Sequence, residues 1–314
     1  MKMSFEEFTK VVVDEIKEWL PKSFEEAEVK VQVITKNNDT KLTGLNIKCA
    51  HSNIVPTIYL EQFFDSYENG EEMSTILRRI AEIRVENANE DMIDVNAITD
   101  FERAKENIMP RLVGAEFNKE VLSGRPHVLI EDLAVIFTVD LASTDEGYMG
   151  AGVTDGLAES WGKDANELFE IAISNLQKKN TGIFLTMNEI MGKELYPQVL
   201  EQCDGDAERA QELLDGMLPK DDMMYVLTKQ DKQYGAALLL DKNMMERVIE
   251  RVGADFYILP SSLHEVIIVP AKESVDEDYL RAMVREVNAT QVSPSERLSN
   301  NIYRFSMEKG IQLV

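Results

Sequence analysis

The chain reads as an α+β protein in which mostly antiparallel sheets of hairpins carry packed amphipathic helices. Strand-like runs come in neighbouring pairs, as at residues 29–49 and 256–269. Helical stripes follow or separate those pairs, rather than alternating with single strands as a parallel β-α-β fold requires. A hydrophobic fraction of 44% over 314 residues provides a sizeable core.

Ser4 and Glu7 have capping-box spacing, and Phe8, Val11, Val12, Ile16 and Trp19 recur at helical intervals. A first helix is therefore expected over residues 5–20, ended by Pro21. Residues 29–34 alternate as a half-buried strand, Asn37-Asn38-Asp39 is turn chemistry, and 42–49 returns as the second strand of a hairpin. A short strand at 57–60 precedes helices at 61–67 and 73–85, the latter striped by Met73, Ile76, Leu77 and Ile80.

Another helix is expected over 100–112 despite Pro110, and Ser123-Gly124-Arg125-Pro126 turns the chain into strands at 127–130 and 133–139. Both faces of the second are apolar, which places it inside a sheet. Asp164 caps the next helix, with Glu167 in its first turn. Residues 181–219 read as helical and acidic and form the best hinge. Beyond them, strands are expected at 224–228, 236–240, 256–259 and 266–269, with a helix at 242–252. Ser274 and Glu277 have capping-box spacing before a last long helix striped by Leu280, Met283, Val284 and Val287. A turn at 293–296 and a strand at 302–305 follow. This organisation gives units at 1–115, 116–219 and 220–314, with one compact domain as the alternative.

The formal charge of −24 disfavours gripping nucleic acid, which needs clustered Lys and Arg to displace counterions. Acidity serves solubility; its sharper reading is attraction of a basic protein partner, or imitation of a nucleic-acid backbone. Glu201, Asp204, Asp206, Glu208, Glu212, Asp215, Asp221 and Asp222 crowd one stretch against only Arg209 and Lys220. No apolar run approaches the roughly 20 residues that span a bilayer, and Glu6 and Glu7 stand where a signal peptide is apolar. No membrane association is expected, and a cytoplasmic location is. Cys49 and Cys203 lie far apart and form no paired motif, which excludes a disulfide framework.

The chemistry-bearing residues form no signature. Cys49 and His51 share a strand face, but no further Cys or His lies near in sequence to complete a metal site. Ser261, Ser262, His264 and Glu265 cluster without a nucleophile elbow, so a turn between strands is the plainer reading. Gly147-Tyr148-Met149-Gly150-Ala151-Gly152 matches neither a dinucleotide fingerprint nor a P-loop and is expected to be a turn. Asp204, Asp206, Glu208 and Asp215 imitate a calcium loop, but Arg209 stands where the sharp turn needs Gly; helix-start acids explain the same letters. Fifteen methionines are ascribed to the core. No cofactor and no metal are expected. The catalytic candidates are Asp132 and Asp140, which bracket the central strand, and His264.

Several phrases resemble a known family in order along nearly the whole chain. They are Leu42-Thr43-Gly44-Leu45, Pro56-Thr57-Ile58-Tyr59-Leu60, Asp132-Leu133-Ala134-Val135 with Asn175-Leu176, Gly235-Ala236-Ala237, the run from Phe256 to Ser262, and Val287-Asn288-Ala289-Thr290. The chain is similar to the bacterial family catalogued as domain of unknown function 5688. More distantly, through Trp161-Gly162 and the Asn-Leu helix end, it resembles the YtpQ-like family. The resemblance implies a cytoplasmic protein of Gram-positive bacteria, met among accessory genes of mobile elements, and supplies no catalytic residue. The expectation is a non-enzymatic binding or accessory protein that contacts another macromolecule. The alternative is a hydrolase or nucleotide-processing enzyme whose site is assembled from distant strand ends.

Overall fold

The Ser4 hydroxyl accepts the Glu7 amide at 3.3 Å while the Glu7 carboxylate accepts the Ser4 amide at 2.8 Å, so helix α1 (Phe5–Trp19) starts where its capping box predicts. The structure is a computed structural model that describes residues 2–49, 55–87, 94–144, 147–179, 181–219, 223–253, 255–272 and 275–314, the side chains of 142–144, 147 and 148 excepted. The fold is α+β, with antiparallel pairing throughout its open sheets. The chain divides into two compact units, Met1–Ala97 and Ile98–Val314.

In the first unit, β1 (Glu28–Thr35) and β2 (Lys41–Lys48) form the expected hairpin with Val31 opposite Leu45. Its turn holds Asn38 and Asp39 at φ 59° and 49°, left-handed values that these two residue types tolerate. Strand β3 (Thr57–Tyr59) adds to β2, and α2 (Glu61–Glu68) and α3 (Met73–Glu86) follow. Phe8, Ile16, Leu45, Ile47, Phe63 and Ile80 share one core. Each such buried side chain contributes about 1.5–3 kcal/mol. Arg84 is buried among them, its Nε donating to the Ile47 carbonyl at 2.9 Å and its guanidinium lying 4.8 Å from the Phe24 ring centre.

A helical turn, α4 (Asn96–Thr99), lies at the division and is followed by α5 (Phe101–Ala104) and β4 (Ile108–Gly114). The helix expected over 100–112 therefore ends after one 3-10 turn, Lys105–Asn107. Pro110 cannot continue a helix, but it fits β4, an edge strand whose outer N–H positions need no partner. Every residue of β4 is buried, so its apolar pattern imitated a helix. The Asn175 amide fixes the change of direction by donating to the carbonyls of Lys105 at 2.7 Å and Ile108 at 2.9 Å.

After α6 (Lys119–Leu122), the chain runs through β5 (Val128–Ile130), β6 (Leu133–Thr144) and β7 (Gly147–Gly152). Strand β6 is interior, between β4 on one side and β5 and β7 on the other. The glycine-rich run expected as a turn is strand β7. A Cβ at Gly152 would lie 2.7 Å from Nη1 of Arg125, so the glycine leaves room for that guanidinium. Helix α7 (Asp155–Trp161) precedes α8 (Ala165–Lys179), where Asp164 and Glu167 cap each other's amides at 2.9 and 3.0 Å. Leu168, Ala172 and Leu176 of α8 join the core with Leu112 and Phe137.

The second sheet of this unit begins with β8 (Gly182–Thr186), continues after α9 (Met187–Gln202) and α10 (Ala207–Met217) with β9 (Tyr225–Lys229), and then turns through a 3-10 segment, Gly235–Leu240. The strand expected at 236–240 is this segment. The Gly235 and Ala236 amides donate to the His264 and Leu263 carbonyls at 3.0 and 3.2 Å, after which the Ala237 and Asp241 amides turn back to the Tyr234 and Leu238 carbonyls, and a Cβ at Gly235 would lie 2.3 Å from the His264 oxygen. Helix α11 (Lys242–Val252), β10 (Phe256–Pro260), β11 (Glu265–Pro270), α12 (Glu277–Thr290), β12 (Tyr303–Ser306) and β13 (Gly310–Leu313) complete it. The strand order is β13-β12-β10-β11-β9-β8. Asp276 caps α12 by accepting the Asp278 and Tyr279 amides; Ser274, expected in that role, lies outside the described residues.

Boundaries at 115/116 and 219/220 would separate paired strands, β4 from β6 and β8 from β9. The two sheets share one core, which runs from Leu112 and Phe137 to Phe256 and Tyr303. A small separate cluster, Val199, Cys203, Ala210 and Leu214, belongs to α9 and α10 alone.

Candidate functional site

Arg111, Ile136, Thr138 and Asp140 share one face of the β4–β6 ladder, because Arg111 pairs with Ile136 and alternate residues of a strand point the same way. Arg111 is 3% exposed, and its Nη2 donates to Asp140 Oδ1 at 2.7 Å; the Thr138 hydroxyl donates to the same oxygen at 3.0 Å. The guanidinium carbon lies 4.2 Å from the centre of the Tyr234 ring, which in turn lies 5.4 Å from the His264 ring. Asp140 and His264 thus occupy two ends of a row, Asp140–Arg111–Tyr234–His264, where the two sheets meet.

Lys229, 5% exposed, lies beside this row with Asp231 at 3.4 Å. Burial pushes its pKa down, and the nearby Arg111 charge adds to the effect; Asp231 and Asp140 oppose it. Tyr234 takes φ 53°, and its amide donates to His264 Nδ1 at 3.2 Å. The other ring nitrogen, Nε2, faces Glu296 at 3.8 Å. The nearby serines are engaged elsewhere: Ser261 donates to Glu265, and Ser262 accepts the His264 amide. The row joins two sheets by stacking and ion pairing, and neither Ser261 nor Ser262 is aligned on the histidine as a nucleophile.

Asp132 lies in a different network. Its carboxylate accepts the Tyr303 hydroxyl at 2.6 Å, the Asn301 amide at 2.9 Å and the Ser299 hydroxyl at 3.2 Å. Burial, with the bond to Asp132, pushes the Tyr303 hydroxyl well above the ordinary tyrosine range. Asp132 is therefore a clamp that fastens the segment leading into β12 onto the start of β6. Of the three sequence candidates, the structure relates Asp140 and His264 through Arg111 and Tyr234, and it separates Asp132 from them.

The remaining sequence motifs resolve locally. Cys49 accepts an Arg84 N–H at 3.6 Å, while His51 lies outside the described residues. Asp206 caps α10 by accepting the Glu208 and Arg209 amides, both at 3.1 Å. Among the described residues, no three His, Cys, Asp or Glu side chains converge as a metal site, and no helix is long and apolar enough to cross a membrane.

An open cleft lies elsewhere. Thr186 at the end of β8 is the register partner of Tyr225 at the start of β9, yet the chain between them leaves as the helical pair α9–α10. A hairpin connection needs only two to five residues, so this arm is an insertion into a finished ladder. Its root is held by Glu189, whose carboxylate accepts the Thr186 amide at 2.6 Å and an Arg251 N–H at 2.9 Å. Burial works against ionisation of Glu189, but these two partners hold its pKa below the usual carboxylate value. The Asn188 amide ties the two ends of the arm by donating to the Pro219 carbonyl at 2.7 Å.

Between the helices runs an open cleft of ≈ 560 Å³, with Gly192, Tyr196, Leu214 and Leu218 as its apolar walls and Asn188, Glu189, Lys193 and Gln211 as its polar lining. Leu213 and Met217 are 44% and 56% exposed on α10. The sequence signalled the arm by its helical and acidic character, although the first part of the stretch read as helical is strand β8; the cleft depends on where α10 folds back. Arg111 and Lys229 were missed as well, although each is a lone cation at the heart or end of an apolar strand, Met109-Pro110-Arg111-Leu112-Val113 and Val226-Leu227-Thr228-Lys229.

No curated protein and no solved structure matches the chain. The phrases that carry the family resemblance include Asp132, Asn175, Gly235 and Asn288, and each makes interior contacts that build the fold. A family model described as "Family of unknown function (DUF5688)" matches residues 5–307, and the chain belongs to that family.

Proposed function

We propose that this is a non-enzymatic binding protein of the bacterial cytoplasm, an accessory factor that engages a basic protein partner through the α9–α10 arm. The observation that carries this reading is the arm itself. It interrupts a continuous strand pair, contributes its own small core, and presents an open apolar cleft within the most acidic stretch of the chain. Long insertions into a compact domain are characteristically functional. The catalytic alternative draws less support, since the polar atoms of Asp132, Asp140 and His264 are engaged in holding strands and sheets together.

Because Thr186 and Tyr225 are paired, residues 187–224 can be replaced by an Asn-Gly turn without breaking the sheet. Intact and armless proteins are used as baits for a bacterial extract at low and moderate salt, and the retained proteins are compared. The expected result is a basic protein retained by the intact bait, released as salt rises and absent from the armless one. Identical retention by both baits, or no specific protein on either, would overturn the reading.

A further inference from the structure

From the form and charge of the arm, we infer the class of its occupant: a basic amphipathic helix that lies along the α9–α10 cleft as the third helix of a bundle. The inference rests on the proposed binding function and adds the shape of the partner. Two antiparallel helices joined by a short turn leave an apolar groove that a third helix fills, with anchors one turn apart.

Gly192 is central to the geometry. A Cβ there would meet Leu214 Cδ2 and Leu218 Cδ1 at 3.7 Å, ordinary contact distance, so a side chain could be accommodated and glycine instead deepens the groove. Tyr196 follows one turn later on the same face of α9, and Leu214 and Leu218 stand one turn apart on α10. These positions suit apolar anchors at i and i+3 or i+4 of an incoming helix. Helix α10 has 11 residues, about 16 Å at the helical rise, which sets the occupant at roughly three turns or more.

Charge selects the sign of the partner. Glu201, Glu208, Glu212 and Asp215 are exposed on the arm, whose cations are Lys193 and Arg209 among the described residues. Such a field favours Lys and Arg on the outer faces of the occupant and disfavours an acidic helix by like-charge repulsion. Lys193 lines the cleft and is the cation that opposes a basic occupant.

The test uses the full chain and three labelled synthetic peptides of about four helical turns, read by fluorescence anisotropy. The first peptide places Leu and Lys with helical amphipathic periodicity, the second shuffles the same composition, and the third replaces Lys by Glu. The first should bind at least about ten-fold more tightly than the others, and more weakly as salt rises. Gly192→Leu, which fills the groove, should weaken it at least about ten-fold, whereas Lys193→Glu should strengthen it several-fold. If Gly192→Leu fails to fold, a photo-crosslinking residue in the first peptide replaces it, and the crosslinks should map to α9 and α10.

Equal binding of the shuffled peptide, undiminished binding to a folded Gly192→Leu protein, or crosslinks outside the arm would each overturn the inference. Should the helical peptide fail while arm removal still abolishes retention of a basic protein, the helical occupant is refuted and the binding function stands. Should arm removal change no retention, the binding function falls first.

Discussion

Removing the Asp132 carboxylate should unfold the second unit's C-terminal closure rather than impair any chemistry. Asp132→Ala deletes the acceptor for three side-chain donors at 2.6, 2.9 and 3.2 Å. Two of those donors belong to residues that water hardly reaches: Tyr303 is 1% exposed and Ser299 2%. A hydrogen bond to a charged acceptor contributes about 1.5–3 kcal/mol, and a buried donor left unpaired costs about 1–3 kcal/mol. The bonds are not additive, so the expected loss is about 3–5 kcal/mol, measured by urea unfolding with the slope checked for change.

Tyr303→Phe removes the donor and should cost less, about 1–2 kcal/mol. The double variant should then be less destabilised than the sum of the singles by about 1–2 kcal/mol. The raised pKa of Tyr303 adds a pH signature. In the unfolded chain this phenol ionises near its ordinary value of 10.0, while in the folded protein it stays neutral, so the folded state binds the extra proton above that pH. The stability it contributes is therefore complete below about pH 10 and declines as pH rises further. Wild-type protein should lose stability more steeply than Tyr303→Phe between pH 10 and 11. An Asp132→Ala loss below about 1 kcal/mol, or parallel alkaline slopes for wild type and Tyr303→Phe, would refute the clamp.

Other substitutions test the remaining geometry. Arg111→Met removes the guanidinium paired with Asp140 and should cost about 3 kcal/mol, the lower part of the range for breaking a buried pair because Asp140 is partly exposed; chemical denaturation measures it. Gly235→Ala drives a Cβ against the His264 carbonyl and the Lys229 amide at 2.3 and 2.8 Å, and a loss of about 3 kcal/mol or outright failure to fold is expected in thermal melts. Gly192→Ala, by contrast, meets only ordinary contacts inside a helix and should protect α9 amides from hydrogen exchange by about 0.5–1 kcal/mol.

Where local chemistry and final environment agreed, the sequence was a faithful guide. The capping box at Ser4, the reciprocal caps at Asp164 and Glu167, and the two-sided apolar character of β6 each follow from contacts within a few residues or from simple burial; β1 is a strand as expected but not a half-buried one, since Val31 and Val33 stay exposed. It failed where burial on all sides erased periodicity. Strand β4 and the 3-10 segment Gly235–Leu240 are both apolar runs, and which became strand was settled by partners far along the chain, β6 for one and the His264 carbonyl for the other. Strand β7 was hidden by its glycines, one of which makes room for Arg125. The site residues divide in the same way. Asp140 and His264 were legible as polar groups beside strands, but the cation and ring that relate them, Arg111 and Tyr234, are neighbours only in space.

The Asp132 clamp also sets an order of events during synthesis. The three-stranded sheet and helices of the first unit need only residues 1–97, so this part can become native while translation continues. The second unit has no such freedom: β10 can pair with β11, but its other edge waits for β12, and the start of β6 waits for donors at 299, 301 and 303. A nascent chain stalled before residue 299 would carry a finished first unit and an exposed, unsealed second one, so premature termination or a slow ribosome in this stretch makes the polypeptide a client for chaperones or proteases.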